Sequence, residues 1–193
     1  MKKILLLLTV LLSVQFSTVT AQSQIEINGI TVPRTINIQN KNLTLNGVGG
    51  RSKMWVEVYV QALYLSRLSE DPNYIVESDT EMAVRIHITS SLVSSGKLTR
   101  NFNIGFEKSA GTNLNSLRPK IEAFKKMLSD EIVKDDVYNL FYNPIDTSVW
   151  VYKNDILKGK IPGIDFKKAL FGIWLSDKPV DETLKKNLLG IYK

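Results

Sequence analysis

The order of two hydrophobic periods along the chain limits its fold more than any other feature of the sequence. Before residue 90 apolar residues mostly alternate with polar ones, most cleanly over residues 82–89, and this is the period of a strand. From Ser94 they recur every three or four positions, which indicates helices. Strand and helix patterns then each return once towards the C-terminus. This order predicts an α+β fold with helices on one face of an antiparallel sheet.

The pattern also predicts the separate elements. Predicted strands cover residues 24–28, 30–33, 54–65, 82–89, 137–142, 149–153 and 156–160, and residues 37–45 place strand residues on either side of a polar turn at 39–42. Four helices are predicted. The first is capped by Ser94 or Ser95 and ends at Gly111, and the second starts near Pro119. The third is capped by Asp165, and the fourth is capped by Asp181 and ends at Gly190. Five apolar residues of the third helix share one face, which we expect to pack toward the sheet: Phe166, Ala169, Leu170, Ile173 and Trp174.

The N-terminus has the parts of a secretory signal peptide. Two lysines precede an apolar run over residues 4–12, and the small residues at 19–21 form a cleavage site. The run is shorter than the ~20 residues that cross a bilayer, although an uncleaved anchor is the alternative. We expect residues 1–21 to be removed after Ala21, which leaves an exported domain over 22–193, periplasmic or secreted, with no membrane span.

The charged residues and the absence of cysteine exclude several classes of protein. Without cysteine the domain has no disulfide, so its stability must come from packing. The formal net charge is +6, and removing the two N-terminal lysines leaves +4 (6 − 2). The other lysines are spread along the chain among acidic residues, which is typical of a solvated surface. A nucleic-acid partner is therefore not expected, because its groove would need a basic cluster.

Most catalytic constellations are also missing. His87 is the only histidine, so a typical zinc site lacks ligands, and no G-x-S-x-G elbow supports a serine triad. No Walker loop is present. The acidic residues between Asp130 and Asp136 are more typical of a solvated helix end than of a metal site. The sequence thus predicts no catalytic residue, no metal and no cofactor.

The stretch "GVGGRS", residues 47–52, places three glycines just before Arg51. Glycine-rich turns can cradle phosphate groups, but a dinucleotide fingerprint needs a helix after the glycines, and here a strand pattern follows. The glycines are better explained by unusual backbone dihedrals or a close approach of another backbone. Arg51 itself is either a ligand residue or a residue that only ties down its own turn.

The strand predicted over residues 54–65 has two different faces. One face is apolar and typical of a core, and the other mixes aromatic with polar residues. The mixed face either lines a ligand cleft or is half exposed. The mixed face contains Trp55, Glu57, Tyr59, Gln61 and Leu63, and the apolar face contains Val56, Val58, Val60, Ala62 and Tyr64.

Three segments resemble motifs of the chalcone isomerase superfamily, and most closely its bacterial exported members. They are "INGITVPRTINI" (27–38), "LNGVGGRSKMWVEVYVQALYL" (45–65) and "GKIPGIDFKKALFGIWLSDKPVDETLKKNLLG" (159–190). The resemblance covers nearly all of the chain after residue 21. It implies an open-faced β-sandwich, in which a large antiparallel sheet carries a helical layer on one face and a ligand cleft lies between them.

The same resemblance bears on the site. The arginine of the plant isomerases matches Arg51, and their strand threonine falls at Tyr59. Their other polar positions fall on residues without a hydroxyl: Leu98, Gly105, and Gly172 or Ile173. The resemblance to fatty-acid-binding relatives instead implies a paired arginine and tyrosine at the site, which Arg51 and Tyr59 can supply. A straight strand would separate these two residues by about 26 Å, so the pair requires the chain to bulge or fold back near Ser52.

Three functions remain open on this basis. The first is a non-catalytic binder of a small amphipathic acid such as a fatty acid, with Arg51 and Tyr59 as the ligand residues. The second is an intramolecular lyase of the chalcone isomerase type acting on another substrate. The third is a structural or interaction module whose cleft is filled by its own side chains.

Overall fold

A computed structural model describes residues 23–53 and 55–192 of the chain. Seven strands form one antiparallel sheet in which each strand pairs with its neighbours in sequence, and two more form a separate hairpin. The hairpin strands are β1 (Gln24–Ile27) and β2 (Ile30–Pro33). The sheet strands are β3 (Thr35–Ile38), β4 (Lys41–Lys53), β5 (Val56–Leu65), β6 (Met82–Ile88), β7 (Val137–Asn143), β8 (Ser148–Lys153) and β9 (Ile156–Pro162).

Five α-helices are present in the described residues. They are α1 (Pro72–Glu77), α2 (Ser95–Ser109), α3 (Leu114–Met127), α4 (Ile164–Leu175) and α5 (Glu182–Leu188), with a single 3-10 turn over Gly111–Asn113. The predicted caps of α2 and α5 are confirmed, because Ser94 accepts a hydrogen bond from the Lys97 amide and Asp181 accepts one from the Leu184 amide.

The sequence pattern missed one helix, and two predicted helix starts are wrong. Helix α1 was not expected; Pro72 begins it and Asp71 caps it. Helix α3 begins at Leu114, so Pro119 lies inside the helix rather than at its start. Asp165 does not cap α4 but lies in its first turn, where its carboxylate binds Lys120 and the Phe166 amide.

The helices pack on one face of the sheet, as the sequence predicts. All five apolar residues of α4 expected to face the sheet are buried, and Phe166 and Leu170 are completely so. Aromatic rings of three helices meet edge-on, for example Phe102 of α2 with Phe124 of α3 at 4.9 Å between ring centroids. The β1–β2 hairpin covers part of the other face and joins a second core around Val60, Ala62 and Tyr64 of β5. The predicted α+β architecture, a large antiparallel sheet with a helical layer on one face, is therefore confirmed.

The glycine stretch is not a turn, which corrects one expectation. Residues 47–52 lie inside β4, and the chain reverses between Lys53 and Val56, where Trp55 has a φ of 70°. The glycines instead allow a close approach of helix α5. A Cβ atom on Gly47 would lie 2.1 Å from the Asn187 carbonyl oxygen, and one on Gly49 would lie 2.8 Å from the Asn187 side chain. The alternative of close approach is thus confirmed for this part of the chain.

The predicted signal peptide, residues 1–21, lies outside the described residues. Within the part of the chain that the structure describes, no helix has the length and apolar character needed to cross a membrane.

Candidate functional site

Arg51 and Tyr59 face each other across the β4–β5 hairpin. The register pairs them directly, because the chain folds back only a few residues beyond Arg51 and a bulge follows between Arg51 and Ser52. The Arg51 Nη1 atom donates a hydrogen bond to the Tyr59 hydroxyl at 3.2 Å, and the guanidinium carbon lies 5.9 Å from the ring centroid. Tyr59 is 5% exposed. The fold-back that the pair requires is therefore present.

These two residues stand at the inner end of a cleft of about 490 Å³. Its size lies in the range of about 300–1,000 Å³ that is typical of ligand pockets. The walls come from β5, from the loop after β6 and from the first turns of α2, and they are mainly apolar. The lining residues are Arg51, Val56, Val58, Tyr59, Leu92, Val93, Lys97, Leu98, Arg100 and Asn101.

Beyond Arg51 and Tyr59 the space between sheet and helices is almost filled. A cavity of only about 10 Å³ remains there, which is room for about one water molecule. Ile86 of β6, Phe102 of α2, and Ile173 and Trp174 of α4 close it. The cleft is therefore open toward the β4–β5 hairpin and closed toward the centre of the protein. The third alternative expected a cleft filled by the protein's own side chains. Only the inner part of the cleft is filled in this way.

Three of the positions at which the resemblance implied lost polar groups lie around this closed end. Leu98 and Ile173 line the small cavity, and a Cβ atom on Gly105 would lie 2.6 Å from Ile173 Cγ2. Gly172 lies elsewhere, against Ser109. Among the described residues that line the cleft and the small cavity, Tyr59 carries the only hydroxyl group. The site can bind an anion, but it offers few groups that could position a reacting substrate and water.

The acidic residues near the end of α3 have a structural role. The Asp136 carboxylate is buried and accepts hydrogen bonds from the Val133 amide and the Asn154 side chain, while Lys153 lies 2.9 Å away. Over the described ranges, no group of three or more His, Asp or Glu side chains is placed to hold a metal ion.

Comparison with known proteins agrees with this fold. The sequence profile of the chalcone isomerase-like family matches residues 24–190. The chain belongs to the chalcone isomerase-like family. The crystal structure of a fatty-acid binding protein from Arabidopsis thaliana matches this chalcone isomerase-like fold with a TM-score of 0.71 at 14% sequence identity, over 86% of this chain and 95% of that one. At such low identity the match shows a shared fold. A search of curated proteins found no match.

Gln61 is a buried polar residue of this chalcone isomerase-like chain to which the sequence assigned no role. It is fully buried, and neither atom of its side-chain amide has a hydrogen-bond partner among the described residues. It follows Tyr59 on the same face of β5 and pairs with Ile86, which lines the small cavity. In the sequence, the only indication of this buried amide was a polar residue within a largely apolar strand. The mixed face is thus not half exposed at this point.

Replacing Gln61 with methionine should raise the free energy of unfolding by about 1–2 kcal/mol. A buried amide without a partner costs about 1–3 kcal/mol, and methionine has a similar shape without polar atoms. Chemical denaturation of both proteins would measure the change. Leu63→Met, a change at the next residue on the same face of β5, is the control, since it removes no polar group. A loss of stability in Gln61→Met beyond that of the control would mean that an ordered water or another group satisfies the amide.

Proposed function

We propose that this chain is a non-catalytic binder of a fatty acid or a similar amphipathic acid, held in the cleft with its carboxylate at Arg51 and Tyr59. The observation that carries the proposal is the 3.2 Å bond from Arg51 Nη1 to the Tyr59 hydroxyl at the closed end of a mainly apolar cleft. The Arabidopsis protein of the same fold is described as a fatty-acid binding protein, which supports the ligand class by analogy.

The chemistry of the pair suits a carboxylate. A guanidinium group has five donors in a planar fork and no acceptor, so Arg51 can bind Tyr59 and a carboxylate together. The Tyr59 hydroxyl accepts from Arg51, and its own hydrogen stays available to donate to the second carboxylate oxygen. The apolar tail would then lie along Val56, Val58 and Leu92, toward the open side of the cleft.

Ligands that copurify with the protein test this proposal. We expect native mass spectrometry to find a long-chain acid bound to wild type, and to find it lost after delipidation and restored by hexadecanoic acid. If the purified protein carries no ligand and takes up none, the cleft is not a fatty-acid site. That result would support the alternative of a structural or interaction module.

We expect no cyclisation of 2′-hydroxychalcone above the uncatalysed rate. Isomerase chemistry needs an oriented acid and a stabilised phenolate, and the positions that would supply hydroxyl groups hold Leu98 and Ile173. Loss of absorbance of the chalcone with time measures the reaction. Turnover that disappears in Arg51→Ala would support the lyase alternative instead.

We also propose that residues 1–21 are a signal peptide and that the exported protein begins at Gln22, so that its domain covers 22–193. The supporting pattern is the apolar run followed by small residues at 19–21. N-terminal sequencing of the exported protein should start at Gln22. Exported protein that keeps Met1 would contradict cleavage.

A further inference from the structure

The tip of the β4–β5 hairpin presents an aromatic side chain directly to solvent. Trp55 is fully exposed, and Val56 beside it is partly exposed. Leu92, in the loop between β6 and α2, is 56% exposed. Single exposed apolar residues are common on protein surfaces, but neighbouring ones that include a tryptophan indicate an interaction site.

Two hydrogen bonds hold the hairpin and the loop side by side. Thr89, at the start of the loop, donates from its amide to the Val58 carbonyl and from its hydroxyl to the Glu57 carbonyl, both at 3.2 Å. Val56 and Leu92 also both line the cleft. Val56 and Leu92 therefore meet at the entrance of the cleft, and together with Trp55 at the adjacent tip of the hairpin they are here called the mouth patch.

Cationic side chains border the mouth patch. Lys97 and Arg100, on the first turns of α2, are both exposed and line the same cleft. The Lys97 ammonium donates to the Leu92 carbonyl at 2.9 Å, which fixes it beside the patch. Glu57, the nearest acid along the hairpin, accepts a hydrogen bond from the Asn28 side chain. The patch thus combines an exposed tryptophan and leucine with a positive rim.

We propose that the mouth patch docks the protein on an anionic lipid bilayer. Trp55 and Leu92 would enter the head-group region, while Lys97 and Arg100 lie against lipid phosphates. Tryptophan is enriched at membrane interfaces, and each basic residue near an anionic surface adds to the attraction. A second copy of the chain fits less well, since a stable protein interface needs about 800 Å² on each partner and the patch has three side chains.

Docking in this orientation would place the entrance of the cleft against the bilayer. An amphipathic acid could then pass between lipid and cleft without crossing water. This consequence rests on the proposed function, whereas the docking itself does not.

Vesicle sedimentation tests the docking with the chain that begins at Gln22, which contains every element of the described fold. We expect wild type to sediment with vesicles of phosphatidylcholine and phosphatidylglycerol, and much less with phosphatidylcholine alone or at high salt. The double variant Trp55→Ser, Leu92→Ser should bind the anionic vesicles about tenfold more weakly. Lys97→Gln and Arg100→Gln should each weaken binding about fivefold.

The matched control removes apolar groups at the opposite end of the sheet. Leu68 is 56% exposed, as is Leu92, and Ile145 is 78% exposed. Leu68 follows the far end of β5 and Ile145 follows β7, at the edge away from the cleft. Leu68→Ser, Ile145→Ser should bind vesicles as wild type does.

Three results would overturn the docking. One is equal binding of wild type and the Trp55→Ser, Leu92→Ser variant. Another is an equal loss in the control. The third is a wild-type dimer in analytical ultracentrifugation that Trp55→Ser makes monomeric, with no vesicle binding by either protein. Because fatty-acid titration is carried out without vesicles, failure of ligand binding and failure of docking are separate results.

Discussion

Replacing Arg51 with alanine should weaken the binding of hexadecanoic acid by one to two powers of ten. Hydrogen bonds to charged groups contribute about 1.5–3 kcal/mol, and a tenfold change in affinity corresponds to about 1.4 kcal/mol. The variant loses the planar fork and keeps the Tyr59 hydroxyl, which is a neutral donor. Isothermal titration calorimetry of delipidated protein measures the change.

Further variants separate the fork from its charge. Arg51→Lys should recover part of the lost affinity, since an ammonium keeps the charge but not the bidentate geometry. Tyr59→Phe should cost less than Arg51→Ala because it removes a neutral donor. Arg67→Ala, an exposed arginine beyond the far end of β5, should bind as wild type does. Equal affinity in wild type and all three site variants would show that Arg51 has only a local structural role in the β4–β5 hairpin.

Replacing Lys167 with methionine should lower the free energy of unfolding by about 3–5 kcal/mol. Lys167 of α4 is fully buried, and its ammonium donates to the carbonyls of Ile75, Val76 and Ser78 at 2.7–2.8 Å. These carbonyls end helix α1, where no further helical turn can satisfy them. The substitution leaves the three carbonyls without their ammonium donor, and an unsatisfied buried acceptor costs about 1–3 kcal/mol. Urea unfolding at pH 7 measures the loss.

The neighbouring Lys168 supplies a matched control. Its ammonium pairs with Glu77 at the surface, where ion pairs contribute about 1 kcal/mol or less. Lys168→Met should therefore change the stability little. A loss in Lys167→Met no larger than that in Lys168→Met would mean that the buried ammonium stabilises the α1–α4 contact no more than the surface ion pair does.

The pH dependence of stability gives a second sign of the buried ammonium. Burial lowers the pKa of Lys167 from 10.5 to about 8. Between these values the folded chain binds fewer protons than the unfolded chain, so stability should rise with pH from about 8 toward 10. The rise should be absent in Lys167→Met and present in Lys168→Met.

Features that depend on nearby residues could be predicted from the sequence. Ser94 and Asp181 cap helices because a short polar side chain there meets free amide groups three residues later. The apolar face of α4 follows from its period alone. The architecture, including the order of strands and helices, rests on such local patterns and is confirmed.

Features that depend on distant residues could not be predicted in this way. The β4–β5 turn contains Trp55 and no glycine, while Gly47 and Gly49 before it allow the packing of α5, more than 130 residues later in the chain. The motif suggested Arg51, but its contact with Tyr59 follows from the strand register. Likewise, Lys167 has the pattern of a solvated lysine until the fold brings α1 over it.

The most direct test of the ligand site is a crystal structure of the chain with hexadecanoic acid. The account predicts a carboxylate within hydrogen-bonding distance of both Arg51 Nη1 and the Tyr59 hydroxyl, with the tail along Val56 and Val58 toward the mouth patch. A carboxylate held elsewhere, with the Arg51–Tyr59 bond unchanged and no ligand beside it, would contradict the account.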